Sequence, residues 1–233
     1  MMKVDAHIHS SFSDGRASVS QIVNKALELE LDVVAVVDHV RADSEWVDDF
    51  VSEVDKFRAK FHRRIDVLCG LEAKCLDFSG NVDIPKGAAA KVDLVVGAIH
   101  RIPSGEGFIP SSEIGSRREE ALQCWEKSVS AMLENPDVVM WAHPGALLVD
   151  NGIEIPEAVS RRLVAKAVEH GKFIETNKKR KAPSGSLLKA VEEAKIELIP
   201  GSDAHSLQEM MTYSVSCVCS KAAARRLLSA LEI

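Results

Sequence analysis

Short apolar runs alternate along this chain with longer stretches of helical periodicity. The runs are rich in valine and isoleucine, which is typical of strands that are buried on both faces. We predict seven such strands, at residues 2–6, 33–38, 65–71, 92–99, 137–142, 172–177 and 196–201.

The stretches between these runs predict helices. Ser18 is a suitable N-cap for the first of them, and Pro156 and Gly171 stand where another should begin and end. The predicted helices cover residues 18–30, 44–62, 112–135, 157–170 and 185–195, with a shorter and weaker helical pattern at 79–90. The tail predicts a strand-like run at 213–219 and a closing helix at 220–232, and the pattern does not place that run in the sheet.

This alternation of strands and helices indicates an α/β fold, in which a parallel sheet is covered by helices. Seven strand–helix units in 233 residues fit a closed barrel better than an open doubly wound sheet. The first strand is also not followed by the glycine-rich fingerprint of a dinucleotide-binding fold. We therefore expect one barrel domain over residues 1–233.

Composition narrows the class of protein. Hydrophobic residues make up 46% of the chain, enough for a packed core, and the net charge of -6 does not favour binding to a nucleic-acid backbone. No apolar run approaches the ~20 residues of a membrane span, and the N-terminus lacks the apolar region of a signal peptide. We expect a cytoplasmic protein that does not bind membranes. Its five cysteines are then free thiols in a reducing compartment.

Metal-binding residue types gather where the predicted strands end. Because active sites of α/β barrels lie at the carboxyl ends of their strands, these side chains should meet at one mouth. They comprise six of the eight histidines and two acids: His7, His9, His39, Glu72, His100, His143, Asp203 and His205. We leave out His62, within a charged helix, and His170, at a helix end.

Two spacings strengthen this interpretation. His7 and His9 are two residues apart, as are Asp203 and His205, and side chains two apart on an extended strand point the same way. Imidazole and carboxylate ligands together suit zinc, manganese or iron. The turn-prone sequence around Asp14 could fold a further carboxylate over the same mouth.

These residues lie in motifs that resemble the PHP family of polymerase and histidinol phosphatase domains. The motifs are DAHIHSSFSDG, VVDH, GLE, AIH, AHPG and GSDAH, in this order, and they span the chain from His7 to His205. The resemblance implies a distorted (β/α)7 barrel of the TIM type with two to three divalent ions. Val37 departs from the pattern, because the family more often has threonine before the Asp-His pair formed by Asp38 and His39.

The resemblance also implies how the ligands are shared. The first ion would be held by His7, His9, Glu72 and Asp203. Glu72 would bridge to a second ion, completed by His100 and His143, and the third ion would be held by Asp14, His39 and His205. Asp38 could orient a neighbouring histidine, or it could simply be buried beside the sheet.

Substrate contacts are less specific in the sequence. The stretch ETNKKRKAPSG resembles the histidinol-phosphatase-like branch, in which an asparagine and a nearby basic residue match Asn177 and Arg180. Arg101, Lys178 and Lys179 are alternative phosphate-binding residues. Loops 101–118 and 144–156 are candidates for the rim of the site.

The family resemblance suggests a mechanism in which a hydroxide bridging the two ions that share Glu72 attacks a small phosphoester, most simply a phosphomonoester. We expect Glu72, Asp203 and His205 to contact the reacting groups. Three alternatives remain open: a nuclease or nucleotide phosphodiesterase of the same family, an amidohydrolase, and a metal-binding module without activity. We expect a small phosphorylated substrate and no stable nucleic-acid complex; the substrate, the general acid and the oligomeric state are not predicted.

Overall fold

The computed structural model describes residues 1–105 and 107–230. Within them lie ten strands: β1 Met2–Ile8, β2 Val33–Val40, β3 Asp66–Lys74, β4 Leu94–Ala98, β5 Pro103–Ser104, β6 Gly107–Phe108, β7 Val138–Trp141, β8 Phe173–Thr176, β9 Ile199–Pro200 and β10 Val218–Cys219. The same ranges contain eight α-helices: α1 Val19–Glu28, α2 Val47–Phe61, α3 Arg118–Glu134, α4 Ala146–Asp150, α5 Glu157–Glu169, α6 Gly185–Glu193, α7 Leu207–Tyr213 and α8 Lys221–Ala230.

Seven parallel strands form a nearly closed, barrel-like sheet in the order β1-β2-β3-β4-β7-β8-β9, and β10 adds an antiparallel strand beside β1. The segment after β9 returns to the end of β1. There the amide of Asp203 donates to the carbonyl of His7 at 2.9 Å, and the amide of His9 donates to the carbonyl of Ala204 at 2.9 Å. The predicted (β/α)7 barrel is confirmed, and its seam closes among predicted metal ligands.

Apolar side chains pack in two layers. The outer layer joins the sheet to the helices that surround it. The inner layer fills the barrel, and α8 packs against it through Ala223 and Leu227. Each parallel strand contributes to this inner layer: Val4, Val33, Leu68, Leu94, Met140, Phe173 and Ile199. Side chains alternate along a strand. In β2 the odd-numbered apolar residues therefore belong to the inner layer and the even-numbered ones to the outer layer.

A shift of register in β1 changes which of its residues face inward. Val4 and Ala6 belong to the inner layer, whereas Ile8 belongs to the outer one. The pairing of β1 with β2 shifts between Asp5 and Ile8, as at a β-bulge. This shift turns the side chains of His7 and His9 toward the interior of the barrel.

Local signals explain where several helices begin. Ser18 caps α1, and its hydroxyl accepts from the amide of Gln21 while the Gln21 side chain accepts from the Ser18 amide. Pro156 precedes α5 as predicted. Gly171 adopts a φ of 65° directly after that helix, a conformation that favours glycine.

The structure corrects some predicted elements. Residues 79–90 do not form an α-helix; turns and irregular backbone lead to a short 3-10 helix that begins at Ala89. Asp77 accepts hydrogen bonds from the amides of Ser79 and Asn81 and folds the start of the segment locally. The strand-like tail 213–219 contributes only β10, and it follows a helix, α7, that was not predicted. Of the closing helix 220–232, residues 231 and 232 lie outside the described residues.

Two further expectations can be compared with the structure. All five cysteines are free. Within the described residues, no helix has the length and apolar character needed to cross a membrane.

Candidate active site

The nine predicted metal ligands meet at the carboxyl ends of the barrel strands. Each has a side-chain nitrogen or oxygen within 3.7 Å of another member of the set. The first three strands run past their predicted carboxyl ends, so that three of the nine lie inside strands, namely His7 in β1, His39 in β2 and Glu72 in β3. The others follow the strand ends: His9, Asp14, His100, His143, Asp203 and His205.

Glu72 is the centre of this cluster. Its side chain is 1% exposed, and five imidazoles surround its two oxygens. On Oε1 the neighbours are His143 Nε2 at 2.9 Å and His100 Nε2 at 3.2 Å; on Oε2 they are His39 Nδ1 at 2.8 Å, His7 Nε2 at 3.6 Å and His9 Nε2 at 3.7 Å. Each oxygen of Glu72 therefore has its own set of neighbouring imidazole nitrogens. This arrangement is suited to a carboxylate that bridges two ions.

Two further carboxylates, those of Asp14 and Asp203, contact histidines of the cluster. Asp14 approaches two histidines, with its Oδ1 3.3 Å from His205 Nε2 and its Oδ2 3.7 Å from His39 Nε2. Asp203 Oδ1 lies 3.1 Å from His9 Nε2. The turn after β1 thus brings a carboxylate over the mouth, as its sequence predicts.

Two buried nitrogens in the cluster have no hydrogen-bond partner among the described residues: His7 Nε2 and His9 Nδ1. Buried polar atoms are rarely left unpaired, and a bound ion is one explanation. Three overlapping groups of side chains have ligand atoms within 4.8 Å of one another: His7, His9 and Glu72; His39, Glu72 and His100; and His9, Asp14, His39 and His205. The donor set therefore fits divalent ions.

Two members of the cluster have protonation states that suit metal binding directly. Burial raises the pKa of Glu72, but the nearby imidazoles of His100 and His7 lower it by a larger amount. The net pKa of Glu72 therefore lies well below its usual value. Burial lowers the pKa of His9 to about 4. Near neutral pH Glu72 is then a carboxylate and His9 a neutral imidazole, the forms that coordinate cations. At His7, by contrast, burial lowers the pKa but Glu175 and Glu72 raise it well above its usual value, so that this imidazole gives up a proton when it binds an ion.

Two of the predicted ligands adopt a backbone conformation that is unusual for residues other than glycine. The φ angle is 27° at His143 and 53° at Asp203. Such residues cost about 1–3 kcal/mol each and concentrate at functional sites. This strain supports a role in binding for both side chains.

The cluster opens into a cavity of about 1260 Å³, whose wall includes Asp14, His39, Glu72 and His205. Arg101 and Arg180, two of the predicted substrate-binding residues, also line it. Arg101 lies over the ring of Phe108, 4.5 Å from its centroid. Both arginines lie in loops that follow barrel strands, β4 for Arg101 and β8 for Arg180.

The predicted substrate-binding residues differ in what they contact. Arg180 makes an ion pair with Asp150 at 3.2 Å. Lys179 donates to the carbonyl of Asp203 at 2.6 Å and to Glu209 at 2.9 Å, which ties down the segment carrying two predicted ligands. Asn177 is 1% exposed and accepts from the amide of Arg180. The Asn177 side chain is therefore buried behind the cavity wall and does not line the cavity.

Comparison with known proteins agrees with this geometry. Residues 5–179 match the model of the PHP domain. The chain belongs to the PHP family. Relatives named probable phosphatases occur in Thermoanaerobacter sp. (strain X514), with 26% identity covering 87% of this chain and 78% of the relative, and in Acetivibrio thermocellus, with 26% identity covering 87% and 79%. Together with the PHP match, these relatives bear out the predicted enzyme class, a metal-dependent phosphatase.

A solved structure shows the same fold as this PHP domain. It is the histidinol phosphate phosphatase of Lactococcus lactis in complex with zinc, L-histidinol and phosphate, with a TM-score of 0.63, 17% identity, and coverage of 99% of this chain and 94% of that one. The match to the PHP model ends at residue 179, before Asp203 and His205. The barrel closure described above brings those two residues to the other ligands.

Glu175, in β8, is a supporting residue of the PHP site that the sequence analysis missed. It is fully buried, and its Oε1 lies 3.0 Å from His7 Nδ1 and 3.2 Å from Asn177 Nδ2. Its Oε2 accepts from the backbone amide of His143. The chain packs so closely here that a Cβ at Gly201 would lie 2.2 Å from Glu175 Oε1. A carboxylate within an apolar strand was the signal that could have identified it.

Asp38 supports a different part of the site from the histidines it was considered to orient. Its Oδ1 accepts from the amide of Ser10 at 2.9 Å and from the hydroxyl of Ser13 at 2.5 Å, and its Oδ2 accepts from the Ser10 hydroxyl at 2.6 Å. These bonds fix the turn that carries Asp14. Asp38 therefore acts on that carboxylate through the loop.

Replacing Asp38 with alanine is expected to destabilise the metal-free protein by about 2 kcal/mol, because the Ser10 amide and two hydroxyls lose their acceptor. The variant should also bind less metal, since Asp14 is then held loosely. Urea unfolding and metal analysis would measure both effects. Asp38→Asn is the matched control and should lose less, because its amide oxygen still accepts from Ser10. Wild-type stability and metal content in Asp38→Ala would contradict this role.

Proposed function

We propose that this PHP domain hydrolyses a small phosphomonoester and uses two to three divalent ions held by the nine-residue cluster. The observation that carries the proposal is the position of Glu72, which lies among five imidazoles at the base of an open cavity. A buried carboxylate with separate nitrogen ligands on each oxygen is suited to holding two cations a short distance apart.

The residues divide into three overlapping ligand sets in this proposal. His7, His9 and Asp203 hold one ion together with Glu72, and His100 and His143 complete a second. Asp14, His39 and His205 hold a third. Zinc, manganese and iron all suit these ligands. When bound, the ions supply a water of lowered pKa as the nucleophile and offset the negative charge of the phosphate.

The protein itself orients the substrate. Arg101 and Arg180 line the same cavity as the cluster, so that either guanidinium is available to bind a phosphate oxygen there. Arg180 shares its charge with Asp150, whereas Arg101 is supported by the ring of Phe108. This difference favours Arg101 as the main phosphate contact. Asn177 contributes indirectly, through its bond to Glu175.

Asp203 and His205 complete the catalytic set in our proposal, together with Glu72. The carbonyl of Asp203 and the amide of His205 are both fixed, by Lys179 and Glu209 respectively. These bonds limit how far the two side chains can move at the mouth. Restricted ligands of this kind preserve the geometry that positions a phosphate for attack.

The test combines metal analysis with a screen for phosphate release. Purified protein is analysed for bound metal, treated with chelator, and reloaded separately with zinc, manganese or iron. Each form is then assayed on a panel of small phosphomonoesters and on a diester, bis(4-nitrophenyl) phosphate.

We expect two to three ions per chain and release from monoesters that chelator abolishes. Hydrolysis of the diester alone would replace the monoester proposal with a phosphodiesterase or nuclease. Bound metal without turnover of either class would favour a module that binds metal without catalysis, and no bound metal in any form would remove the basis of the proposal.

A further inference from the structure

The cavity extends beyond the predicted metal ligands. Its wall includes residues 41–44 and Trp46, from the segment that joins the end of β2 to the start of α2. A volume of about 1260 Å³ is larger than the ~300–1000 Å³ typical of sites for whole small molecules, and a phosphate group alone would fill only a small part of it. The remaining space is available to the leaving group of a phosphoester.

Trp46 is the large aromatic side chain on this wall, and two phenylalanines hold it. Its ring centroid lies 5.8 Å from that of Phe12 and 5.7 Å from that of Phe50, which it meets edge to face at 82°. Phe12 and Phe50 pack on each other at 5.3 Å, and Phe50 is fully buried. The indole is therefore fixed on its protein side, and its half-buried surface borders the cavity.

Trp46 lies close to segments that carry predicted metal ligands. Phe12, which contacts it, lies two residues before Asp14, and the intervening Ser13 also lines the cavity. His39 lies at the end of the strand from which the Trp46 segment departs. A molecule whose phosphate sits at the cluster would therefore extend its other end along this wall toward the indole.

We propose that Trp46, supported by Phe12 and Phe50, forms a leaving-group subsite for phosphomonoesters that carry a planar ring. This inference rests on the proposed function, because it assumes that the phosphate binds at the cluster. A fixed indole offers a flat face on which an aromatic ring stacks at little entropic cost. Arg41 and Asp43 both lie in this wall, so its charge favours neither a cationic nor an anionic leaving group, and a cationic group, which also suits an indole, is an outcome of the test below.

The kinetic test compares three phosphomonoesters in wild type, Trp46→Phe and Trp46→Ala. Benzyl phosphate and cyclohexylmethyl phosphate have similar size and both release an alcohol, but only the first has a planar ring; glycerol 2-phosphate has no ring. Stacking on an aromatic side chain contributes enough that Trp46→Ala should lower kcat/KM about tenfold for benzyl phosphate. The loss should be smaller for cyclohexylmethyl phosphate and absent for glycerol 2-phosphate.

Trp46→Phe should retain most of the activity on benzyl phosphate, because phenylalanine also offers a flat face. Metal content should be the same in all three proteins. An equal loss on all three substrates would overturn the subsite, as would an unchanged kcat/KM for benzyl phosphate in Trp46→Ala. Phosphocholine is assayed in addition to these three substrates, and a larger loss on it than on benzyl phosphate would overturn the planar-ring subsite and assign the indole to a cationic group.

A binding measurement separates this inference from the proposed function. Trp125 and Trp141 are each 1% exposed, so Trp46 is the tryptophan whose emission should respond to a ligand in the cavity. Benzylphosphonate, which cannot be hydrolysed, should change the emission of metal-loaded wild type in a saturable way and leave Trp46→Phe unchanged. This result would stand even if no ester were hydrolysed. The same change in Trp46→Phe, or no change in wild type, would overturn the subsite.

Discussion

The Glu72→Gln variant is expected to release phosphate about a thousandfold more slowly than wild type, the upper end of the loss seen when one preorganised electrostatic group is removed. Glutamine keeps the shape of the side chain but removes its charge. One of the two carboxylate oxygens, which lie 2.8–3.7 Å from five imidazoles, becomes an amide nitrogen that cannot bind a cation. Both ions that our proposal assigns to Glu72 should therefore be affected at once.

Metal content is the measurement that ties this loss to the cluster. We expect Glu72→Gln to retain at least one ion fewer per chain than wild type, and added metal should not restore its activity. Glu154→Gln, at an exposed position, is the matched control and should behave as wild type. Circular dichroism would check that the fold is kept. Full activity of Glu72→Gln with wild-type metal content would exclude Glu72 from the centre of the site.

The sequence was sufficient to predict the barrel and the members of the cluster, because both depend on local patterns. Buried strands appear as valine-rich runs, and metal ligands appear as polar residues directly after them. The same rule placed the ends of the first three strands too early: β1 was predicted to stop at residue 6 and β3 at residue 71, but they continue to Ile8 and Lys74. The four later parallel strands each end one residue before the predicted end. Polar residues usually end a buried strand, but here they continue it, since their side chains face one another across the mouth.

Long-range pairing could not be predicted in the same way. The tail contributes β10, in which Cys219 pairs with Met2, more than two hundred residues away. The shift of register between Asp5 and Ile8 is equally invisible, although without it His7 would face the helices. Two-residue spacing shows that His7 and His9 share a face, but only the assembled sheet decides which face that is.

Supporting residues were the hardest part of the site to predict. Glu175 is a single charge in a short apolar run, and its partners lie 32 and 168 residues away. Asp38 was recognised beside His39, but its bonds to Ser10 and Ser13 depend on the neighbouring strand. In both cases the residue type is visible in the sequence, but the role depends on contacts with residues that are distant in the sequence.

The bonds of Glu175 predict which nitrogen of His7 binds metal. A carboxylate can only accept, so His7 Nδ1, 3.0 Å from Glu175 Oε1, carries the proton of the neutral ring. The lone pair is then on Nε2, the buried atom that has no hydrogen-bond partner among the described residues and that points toward Glu72. Carboxylates that orient a metal-bound histidine in this way are worth about 10–100-fold in metal affinity or activity.

Replacing Glu175 with glutamine is expected to weaken metal binding by about 10–100-fold, because neither orientation of the amide satisfies all three donors. With its nitrogen toward the backbone amide of His143, two donors face each other. With its nitrogen toward His7, the ring must accept at Nδ1 and carry its proton on Nε2, where the metal should bind. Each arrangement disturbs one predicted ligand while leaving Glu72 in place.

Competition with a chelator of known affinity would measure the loss, and activity would be followed as metal is added. Unlike Glu72→Gln, the Glu175→Gln variant should recover much of its activity at saturating metal, since the ligands themselves are unchanged. Glu197→Gln, an exposed position near β9, is the matched control. Wild-type affinity in Glu175→Gln would show that His7 keeps its tautomer without this carboxylate. Reduced activity that excess metal does not restore would assign Glu175 a role in the reaction itself, beyond positioning His7.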